Sequence, residues 1–320
     1  MADNLTTTVE VDPGVAVFYD RVLLKRAQPK LVHGLFADMK PLGSKRGTTI
    51  KFRRYSALAV AKTPITEGVT PPGKKLAKTD LTATVSQYGD YVHITDWVDL
   101  TVEDPILTVA TEELGLQMGE TTDEIIRDIL IACASSTNCT GGANLATPTE
   151  ISKADVDAVV KILLNNNADF FTPLIRAASG QGTTPVRPAF WGIMNTNILD
   201  TLEAVSGFKS TSNYPAQQGV LDAEWGSTGN VRWLLTSKGY ADTVATPDTY
   251  YLPILARHAY GIVDLEGGNA KSIIKAFGSG GTADPLNQRA TAGWKMAFVA
   301  RILNDNFMFV LKASDLTGSG

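Results

Sequence analysis

The sequence predicts an α+β fold in which strands and helices occupy separate blocks of the chain. Two alternating runs, residues 48–61 and 79–95, flank a loop rich in proline and glycine. A helical pattern follows over residues 105–134, with apolar residues mostly three or four positions apart. After a mixed insert, the tail over residues 293–311 again contains alternating runs. This order, hairpin, long helix, insert and returning strands, favours segregated subdomains.

The two alternating runs are predicted to form one long hairpin, with Gly89 at a bulge or bend. Its tip, AKTPITEGVTPPGKKL, contains three prolines and two glycines, which is typical of a loop. Residues 63–76 contain few large apolar side chains, which predicts a tip that is mobile until another surface orders it. Because two strands alone are marginally stable in water, we expect the hairpin to lie on something else.

The long helix is predicted to begin with Asp104 as N-cap and Pro105 at the first helical position. Gly115 and Gly119 weaken its middle and favour a bend. One apolar stripe is expected on it, formed by Leu107, Ala110, Leu114, Met118, Ile125, Ile129 and Ala132. The acids fall mostly off that stripe, either as a solvated face or as a surface that receives the basic hairpin.

The insert begins with a second helix. Ser152 and Asp155 have capping-box spacing, and three asparagines at 165–167 end the helical pattern. Further along, the sequence predicts a buried strand over 189–194, a short helix over 198–205 and a strand over 271–277.

Composition excludes several classes of protein. Of 320 residues, 44% are hydrophobic and 19% charged, which argues against disorder. No apolar run approaches the ~18 residues of a membrane span, and the polar, acidic start of the chain is no secretory signal. The two cysteines, Cys133 and Cys139, are expected to be reduced thiols, and the three scattered histidines form no local metal motif.

Charge is unevenly distributed, although the net charge is only −4. Residues 40–78 contain ten basic residues and one acid, whereas residues 79–128 contain twelve acids and one base. These blocks could neutralise each other within one subunit. Alternatively, the basic block contacts the acidic block of a second copy, where complementary charge steers association and fixes register. Nucleic-acid binding is less favoured, because only Phe52 and Tyr55 stand among the basic residues.

The contact between copies would use residues from both blocks. The candidates are Lys51, Arg53, Arg54, Lys62, Lys74 and Lys75 on the basic side, and Glu112, Glu113, Glu120 and Glu124 on the acidic side.

No motif supports catalysis. Residues 68–75, GVTPPGKK, nearly match a phosphate-binding loop, but Pro71 and Pro72 lack the N–H groups that would hold phosphate. Lys75 replaces the hydroxyl that would bind magnesium, and a strand pattern follows where a helix is needed. No nucleophile elbow and no zinc-protease motif occurs. We therefore expect neither enzymatic activity nor a cofactor.

The whole chain resembles the major capsid proteins of tailed bacteriophages with the Hong Kong 97 fold. Three collinear groups of segments carry the resemblance. They are residues 19–24 (YDRVLL) with 29–33 (PKLVH); residues 52–54 (FRR) with 66–70 (TEGVT) and 87–90 (QYGD); and residues 284–289 (DPLNQR) with 293–295 (GWK) and 302–304 (ILN). Residues 170–249 match least.

The resemblance implies a domain organisation. It divides the chain into an N-arm (1–40), an extended E-loop hairpin (41–95), a P-domain (96–148 and 270–320) with a spine helix near 105–134, and an A-domain (149–269).

The resemblance also implies a function. The chain would self-assemble into hexamers and pentamers of an icosahedral shell, first as a procapsid that matures, and enclose double-stranded DNA without sequence-specific binding. A separate scaffolding protein, a portal protein and an optional decoration protein would be its partners. It would be assembled in the bacterial cytoplasm and located in the virion, with no membrane contact.

Two alternatives stay open from the sequence. The first is an encapsulin-type compartment, which has the same fold and a protein cargo. The second, more remote, is a cytosolic enzyme that binds nucleotide at the near-match loop.

Overall fold

A computed structural model describes most of the chain. The described residues are 5–6, 31–101, 106–141, 147–173, 186–215, 220–245, 247–280 and 284–315. Most of the predicted N-arm and the predicted helix start at Asp104 and Pro105 lie outside them.

Within the described residues the helices are α1 Asp96–Thr101, α2 Ile106–Ile131, α3 Lys153–Asn165 and α4 Leu199–Glu203. The strands are β1 Leu5–Thr6, β2 Asp38–Met39, β3 Thr49–Tyr55, β4 Lys78–Thr84, β5 Ser86–Thr95, β6 Ser136–Asn138, β7 Phe190–Asn195, β8 Phe208–Ser210, β9 Glu224–Thr228, β10 Val231–Thr236, β11 Ala241–Asp242, β12 Thr249–Leu255, β13 Tyr260–Asp264, β14 Lys271–Lys275, β15 Arg289–Ile302 and β16 Met308–Ser314.

A six-stranded sheet is organised around the long strand β15. Its order is β1-β5-β15-β13-β2, and β14 also pairs with β15. Helix α2 packs on one face, where its buried residues Leu114, Ile126 and Leu130 share a core with Trp294 and Met296 of β15. Alternate residues of β15 therefore face the helix, as the alternating pattern of the tail predicts.

The second sheet has eight strands. Its order is β6-β16-β12-β7-β10-β9-β8, with β11 paired to β12. All six residues of β7 are buried, which explains its uninterrupted apolar sequence. Helix α3 contributes Val156, Val159 and Leu163 to the same core. The sheet contains strands from both sides of the insert, since β6 and β16 come from residues 136–138 and 308–314.

The hairpin is shorter than predicted. Strand β3 pairs with β4 from Thr49 opposite Thr84 to Tyr55 opposite Lys78. The second run then divides at Val85, and β5 pairs with β15 along residues 86–95. The prediction of one hairpin ending at Thr95 is therefore wrong, because the apolar residues of β5 gain more burial in the large sheet.

Gly89 does not mark a bulge. It lies within the continuous β5–β15 ladder opposite Lys295. A Cβ atom at this position would lie 2.6 Å from the backbone oxygen of Trp294, so the glycine permits a close approach of two strands.

Helix α2 is one uninterrupted element that includes both glycines. At 26 residues it spans about 39 Å. A Cβ atom at Gly119 would lie 2.9 Å from Leu31, so this glycine makes room for the N-terminal segment. The predicted stripe omits Ile126 and Leu130, which the structure buries completely or nearly so.

The insert follows the sequence closely. Ser152 caps α3 by accepting a hydrogen bond from the Asp155 backbone N–H, and its hydroxyl donates to the Asp155 carboxylate at 2.6 Å. The helix ends at Asn165 as predicted, and Asn167 adopts a left-handed φ of 56°. The predicted strand at 189–194 and short helix at 198–205 correspond to β7 and α4. The division into N-arm, E-loop, P-domain and A-domain stays a prediction.

Candidate functional site

The base of the hairpin is anchored by a small apolar cluster. Ile50 and Phe52 of β3 alternate inward, as do Leu81 and Ala83 of β4. Ile50 and Phe52 pack against a cluster formed by Leu42, Val85, Val263 and Ala297, next to the six-stranded sheet. Ile50 and Phe52 are only partly buried in this cluster. The cluster therefore anchors the base of the hairpin and does not extend to its tip.

The other face of the hairpin carries an exposed ion pair. The Arg53 Nε donates to the Asp80 Oδ1 across the strands at 2.8 Å. That hydrogen bond lowers the pKa of the Asp80 carboxyl and raises the pKa of Arg53. Arg54 donates to the Asn304 side chain, which ties the strand to the end of β15. Two of the predicted contact residues, Arg53 and Arg54, thus have partners within their own subunit.

Beyond this base the hairpin projects into solvent. Every residue from Arg53 to Asp80 is exposed. The tip retains few internal bonds, among them Ser56 N–H to Ala77 O at 2.9 Å and Lys74 Nζ to Ala59 O at 2.7 Å. Lys62 and Lys75 extend from the same exposed segment.

The exposed part of the hairpin carries several large apolar side chains. Large apolar side chains are exposed along its whole length, with Val60 77% and Ile65 75% accessible. The set is Tyr55, Leu58, Val60, Ile65, Val69 and Leu76. Residues 63–76 contain only Ile65, Val69 and Leu76 of this set, as expected, and residues 55–60 add the other three. The exposed part of the hairpin therefore carries apolar side chains together with lysines.

Near-match loop residues 68–75 lie within this exposed tip. Strand β4 follows them, so no helix N-terminus faces the loop. Among the described residues, no group of three or more histidine, cysteine, aspartate or glutamate side chains could hold a metal ion. No described helix is long and apolar enough to cross a membrane.

The acidic side of the candidate contact divides into two parts along α2. Near the middle, Glu120 and Glu124 both bind Lys238, at 3.3 and 2.9 Å. The ammonium group of Lys238 donates a hydrogen bond to each carboxylate. These bonds raise its pKa, and the bond to Glu124 has the larger effect. One lysine therefore offsets about half of the charge of Glu120 and Glu124 within the subunit.

One turn or more toward the start of α2, Glu112 and Glu113 are exposed. Glu113 lines an open groove of about 420 Å³ between α2 and β5, whose walls include Ile106 and Val109. The floor is fixed by Gln117, which donates to Asp90 at 2.7 Å and accepts from the Trp294 indole at 3.0 Å. This groove combines acid with apolar surface, the complement of the hairpin tip.

The hairpin and α2 do not neutralise each other within the described subunit. Its hairpin ion pair joins Arg53 to Asp80, and the ion pairs of Glu120 and Glu124 go to Lys238. Among described residues, no salt bridge connects the hairpin to α2. Of the two alternatives for the charge blocks, neutralisation within one subunit is supported among the described residues by the Arg53–Asp80 pair, which joins the basic block to the acidic block inside the hairpin and not at α2.

A buried polar network that the sequence analysis missed fixes the N-terminal segment to α2. Asp123, expected among the surface acids, is only 4% exposed. Its carboxylate accepts from the His33 backbone N–H at 2.8 Å and lies 2.6 Å from His33 Nδ1. The Tyr260 hydroxyl donates to the His33 carbonyl at 2.5 Å, and burial raises the pKa of this phenol. The sequence feature that could have indicated this network is His33, a polar residue within the mostly apolar residues 31–36.

A second missed network lies within the eight-stranded sheet. The Arg232 guanidinium and the Glu224 carboxylate are almost fully buried and form two hydrogen bonds of 2.6 Å. Tyr214 donates to Glu224 at 3.0 Å, and Arg232 lies 4.7 Å from the ring centre of Trp191. An arginine in the otherwise apolar sequence of β10 was the available signal.

Comparison with solved structures identifies the architecture. The chain matches the capsid of cyanophage P-SCSP1u with a TM-score of 0.63 at 12% identity, covering 98% of this chain and 97% of that one. It matches the cyanophage Pam1 capsid with a TM-score of 0.61 at 13% identity, covering 99% and 100%. For the Ralstonia phage GP4 capsid the TM-score is 0.62 at 11% identity, covering 96% and 100%.

The chain has the α+β fold of phage capsid subunits. No family model and no curated protein matches the sequence. At these identities the likeness concerns the fold. Within the capsid fold, the exposed hairpin and the groove beside α2 are surfaces with a composition suited to a partner.

Proposed function

We propose that this chain is a major capsid protein, a structural subunit that assembles into the hexamers and pentamers of an icosahedral phage shell. The supporting observation is the hairpin, which is exposed from Arg53 to Asp80 in a chain with the fold of phage capsid subunits. Such a segment gains burial only from another molecule. In a symmetric shell, that molecule is a second copy of the chain.

Apolar contacts would supply most of the energy of this association. Burying one large apolar side chain contributes about 1.5–3 kcal/mol relative to leaving it exposed. The tip offers several such side chains, including Leu58, Ile65 and Val69. The charges of the tip would then set the register and the rate of association more than its strength.

The proposed charge contacts join the tip lysines of one copy to the start of α2 in another. Lys62 and Lys75 are the basic residues, and Glu112 and Glu113 the acidic ones, because all four are exposed. Lys51, Arg53, Arg54 and Lys74 would contribute less, since they lie near the hairpin base or bond within the subunit. Glu120 and Glu124 already hold Lys238.

The wider assembly belongs to the same proposal. The shell would enclose double-stranded DNA, form with a separate scaffolding protein and a portal protein, mature from a procapsid, and accept a decoration protein. Assembly in the host cytoplasm would precede location in the virion. The net charge of −4 suits a container, because strong phosphate binding would hinder the entry and exit of DNA.

The charge contact is tested by reversal and restoration. We expect Lys62→Glu with Lys75→Glu to lower the yield of particles in sedimentation, because like charges then meet at every subunit contact. Adding Glu112→Lys and Glu113→Lys to the same chain should restore the yield. Circular dichroism checks that each variant folds.

The matched control is Lys271→Glu with Lys275→Glu, which makes the same charge change on exposed residues outside the hairpin. In assembly of the purified chain alone it should lower the yield less than the Lys62 and Lys75 double variant does. High salt should slow assembly of the wild type, since the Debye length falls to about 3 Å at 1 M salt. Normal shells from the Lys62 and Lys75 double variant would remove the charge contact from the proposal.

Shell formation and DNA enclosure have separate measurements. Electron microscopy of the purified protein should show closed particles, and a monodisperse monomer at high concentration and low salt would contradict the proposed function. Particles purified from infected cells should protect DNA from nuclease. Particles that protect protein cargo and no DNA would assign the shell to a compartment instead.

A further inference from the structure

Strand β14 is an open edge of the six-stranded sheet. Its five residues, Lys271–Lys275, are all exposed, with Ile273 44% and Ile274 52% accessible. Among the described residues, β15 is the only strand that pairs with β14. The outer edge of such a strand presents backbone N–H and C=O groups to an added strand. Within the described part of the chain, one edge of β14 is therefore unpaired and the side chains on both of its faces are exposed.

The face that carries Ile273 borders a trough that Gly89 and Gly293 keep open. Ile273 lies opposite Gly293 in the ladder, and Gly293 lies opposite Tyr91 of β5. Cβ atoms at Gly89 and Gly293 would lie 2.6 and 2.7 Å from atoms of the neighbouring strand, so no larger residue fits there. The trough has a volume of about 390 Å³, with Tyr91 and Ile273 among its lining residues. It offers an apolar surface shaped to receive a side chain.

Lysines flank this surface on the same face. Lys271, Ile273 and Lys275 alternate along β14, and Lys271 lies opposite Lys295 of β15. Asp90 also lines the trough, but its carboxylate accepts from Gln117 at 2.7 Å and from the Tyr91 N–H at 2.8 Å. The surface that a partner meets is therefore apolar in the centre and basic at both ends.

This charge pattern selects among partners. A second copy of β14 added antiparallel would place Lys271 against Lys275 at both ends, and like charges directly opposite are destabilising. The hairpin tip of another copy is itself basic. A nucleic acid would use the lysines but not the backbone edge or Ile273. An acidic, extended peptide segment uses all three features.

We propose that β14 binds an extended acidic segment of a different protein as an added strand. Two acidic residues four positions apart would pair with Lys271 and Lys275, and an apolar residue between them would cover Ile273 and the trough. This interaction does not require the chain to form a shell. It would be formed equally by the free subunit.

The test uses a fluorescent nine-residue peptide with Glu, Val and Glu at alternate central positions and Thr between them. A matched peptide carries Lys in place of each Glu. By fluorescence anisotropy we expect the Glu peptide to bind the wild-type chain about tenfold more tightly, as ion pairs replace two repulsions. In Lys271→Glu with Lys275→Glu the preference should invert, which a loss of folding could not produce.

Two further probes separate strand addition from charge alone. N-methylation of alternate backbone nitrogens, made in both registers, should abolish binding in one register and spare it in the other. Equal binding of both methylated peptides, or unchanged binding of the Glu peptide to the double variant, would overturn the proposal. So would a DNA duplex that competes for the same lysines and binds more tightly than the peptide.

Discussion

The β3–β4 hairpin and the β7–β10 pair show two ways of stabilising strands of similar length in one chain. In β7 all six residues are buried, and in β10 only Leu235 is partly exposed. In the hairpin only Ala83 is buried. The sheet pair is stabilised by its own subunit, whereas the hairpin has a folded base and an exposed part from Arg53 to Asp80 that its own subunit does not bury.

The same contrast applies to the ion pairs of the two regions. Arg232 and Glu224 are buried in the sheet, and Arg53 and Asp80 lie on the exposed face of the hairpin. A buried pair is costly to break because the charge that remains is neither paired nor solvated by water. An exposed pair competes with water throughout. Substitutions in the two regions should therefore separate stability from assembly.

The largest expected effect comes from Arg232→Ala, which leaves the Glu224 carboxylate buried without its partner. We expect a loss of about 3–5 kcal/mol in the free energy of unfolding. Urea denaturation of the free subunit measures it. The matched control is Arg53→Ala, which breaks an exposed ion pair and should leave the free energy of unfolding nearly unchanged. Similar losses from both variants would contradict the distinction between the regions.

A smaller effect is expected from Asp123→Ala, which removes both hydrogen bonds to His33. Leaving those buried groups unsatisfied should cost about 1–3 kcal/mol. Asp128→Ala, one helical turn further and largely exposed, should change stability by less than about 0.5 kcal/mol. An Asp123 variant as stable as the Asp128 variant would show that the N-terminal segment is held without this carboxylate.

Alkaline pH should weaken the same region. Burial raises the folded-state pKa of Tyr260 above its ordinary value of 10.0. The unfolded chain therefore releases the phenol proton first, and stability falls as pH rises above about 10, by about 1.4 kcal/mol per pH unit. Denaturation at several alkaline pH values tests this. Tyr260→Phe should flatten the slope, and an unchanged slope would place its origin elsewhere.

The smallest effect on stability is expected where the effect on assembly is large. Ile65→Ser with Val69→Ser should change the free energy of unfolding by less than about 0.5 kcal/mol, because both side chains are exposed. Particle yield should nevertheless fall. Hydrogen exchange should show the tip unprotected in the free subunit and protected in particles. Equal protection in both states would mean that the tip does not mediate assembly.

Local signals were sufficient for the elements that end in recognisable residues. The Ser152 cap, the asparagines after α3 and the apolar run of β7 each specify their own structure. The same holds for the hairpin base, where the alternating run that begins at residue 48 forms strand β3. These features depend on neighbours within a few residues.

Features that depend on residues far apart in the sequence could not be predicted from local patterns. Residues 79–95 alternate throughout, and only the presence of β15 decides that β5 leaves the hairpin. Asp123 has the local sequence of a surface acid, and its burial depends on His33, ninety positions away. Likewise, Glu120 and Glu124 of α2 differ from the other acids of the helix because they pair with Lys238, which is more than a hundred positions away. In each case, the deciding partner comes from a distant part of the chain.

The junction at Val85 has a mechanical consequence. It is the single residue between the end of β4 at Thr84 and the start of β5 at Ser86, and its N–H donates to the Thr48 oxygen at 2.8 Å. Val85 is thus a one-residue hinge between β4 of the hairpin and β5 of the six-stranded sheet. Seven strand residues extend about 23 Å, so a rotation of about 10° at this point displaces the far end by about 4 Å. In the proposed shell, such a rotation would let the hairpin reach neighbours at different positions while β3 stays paired with β4 and β5 stays paired with β15.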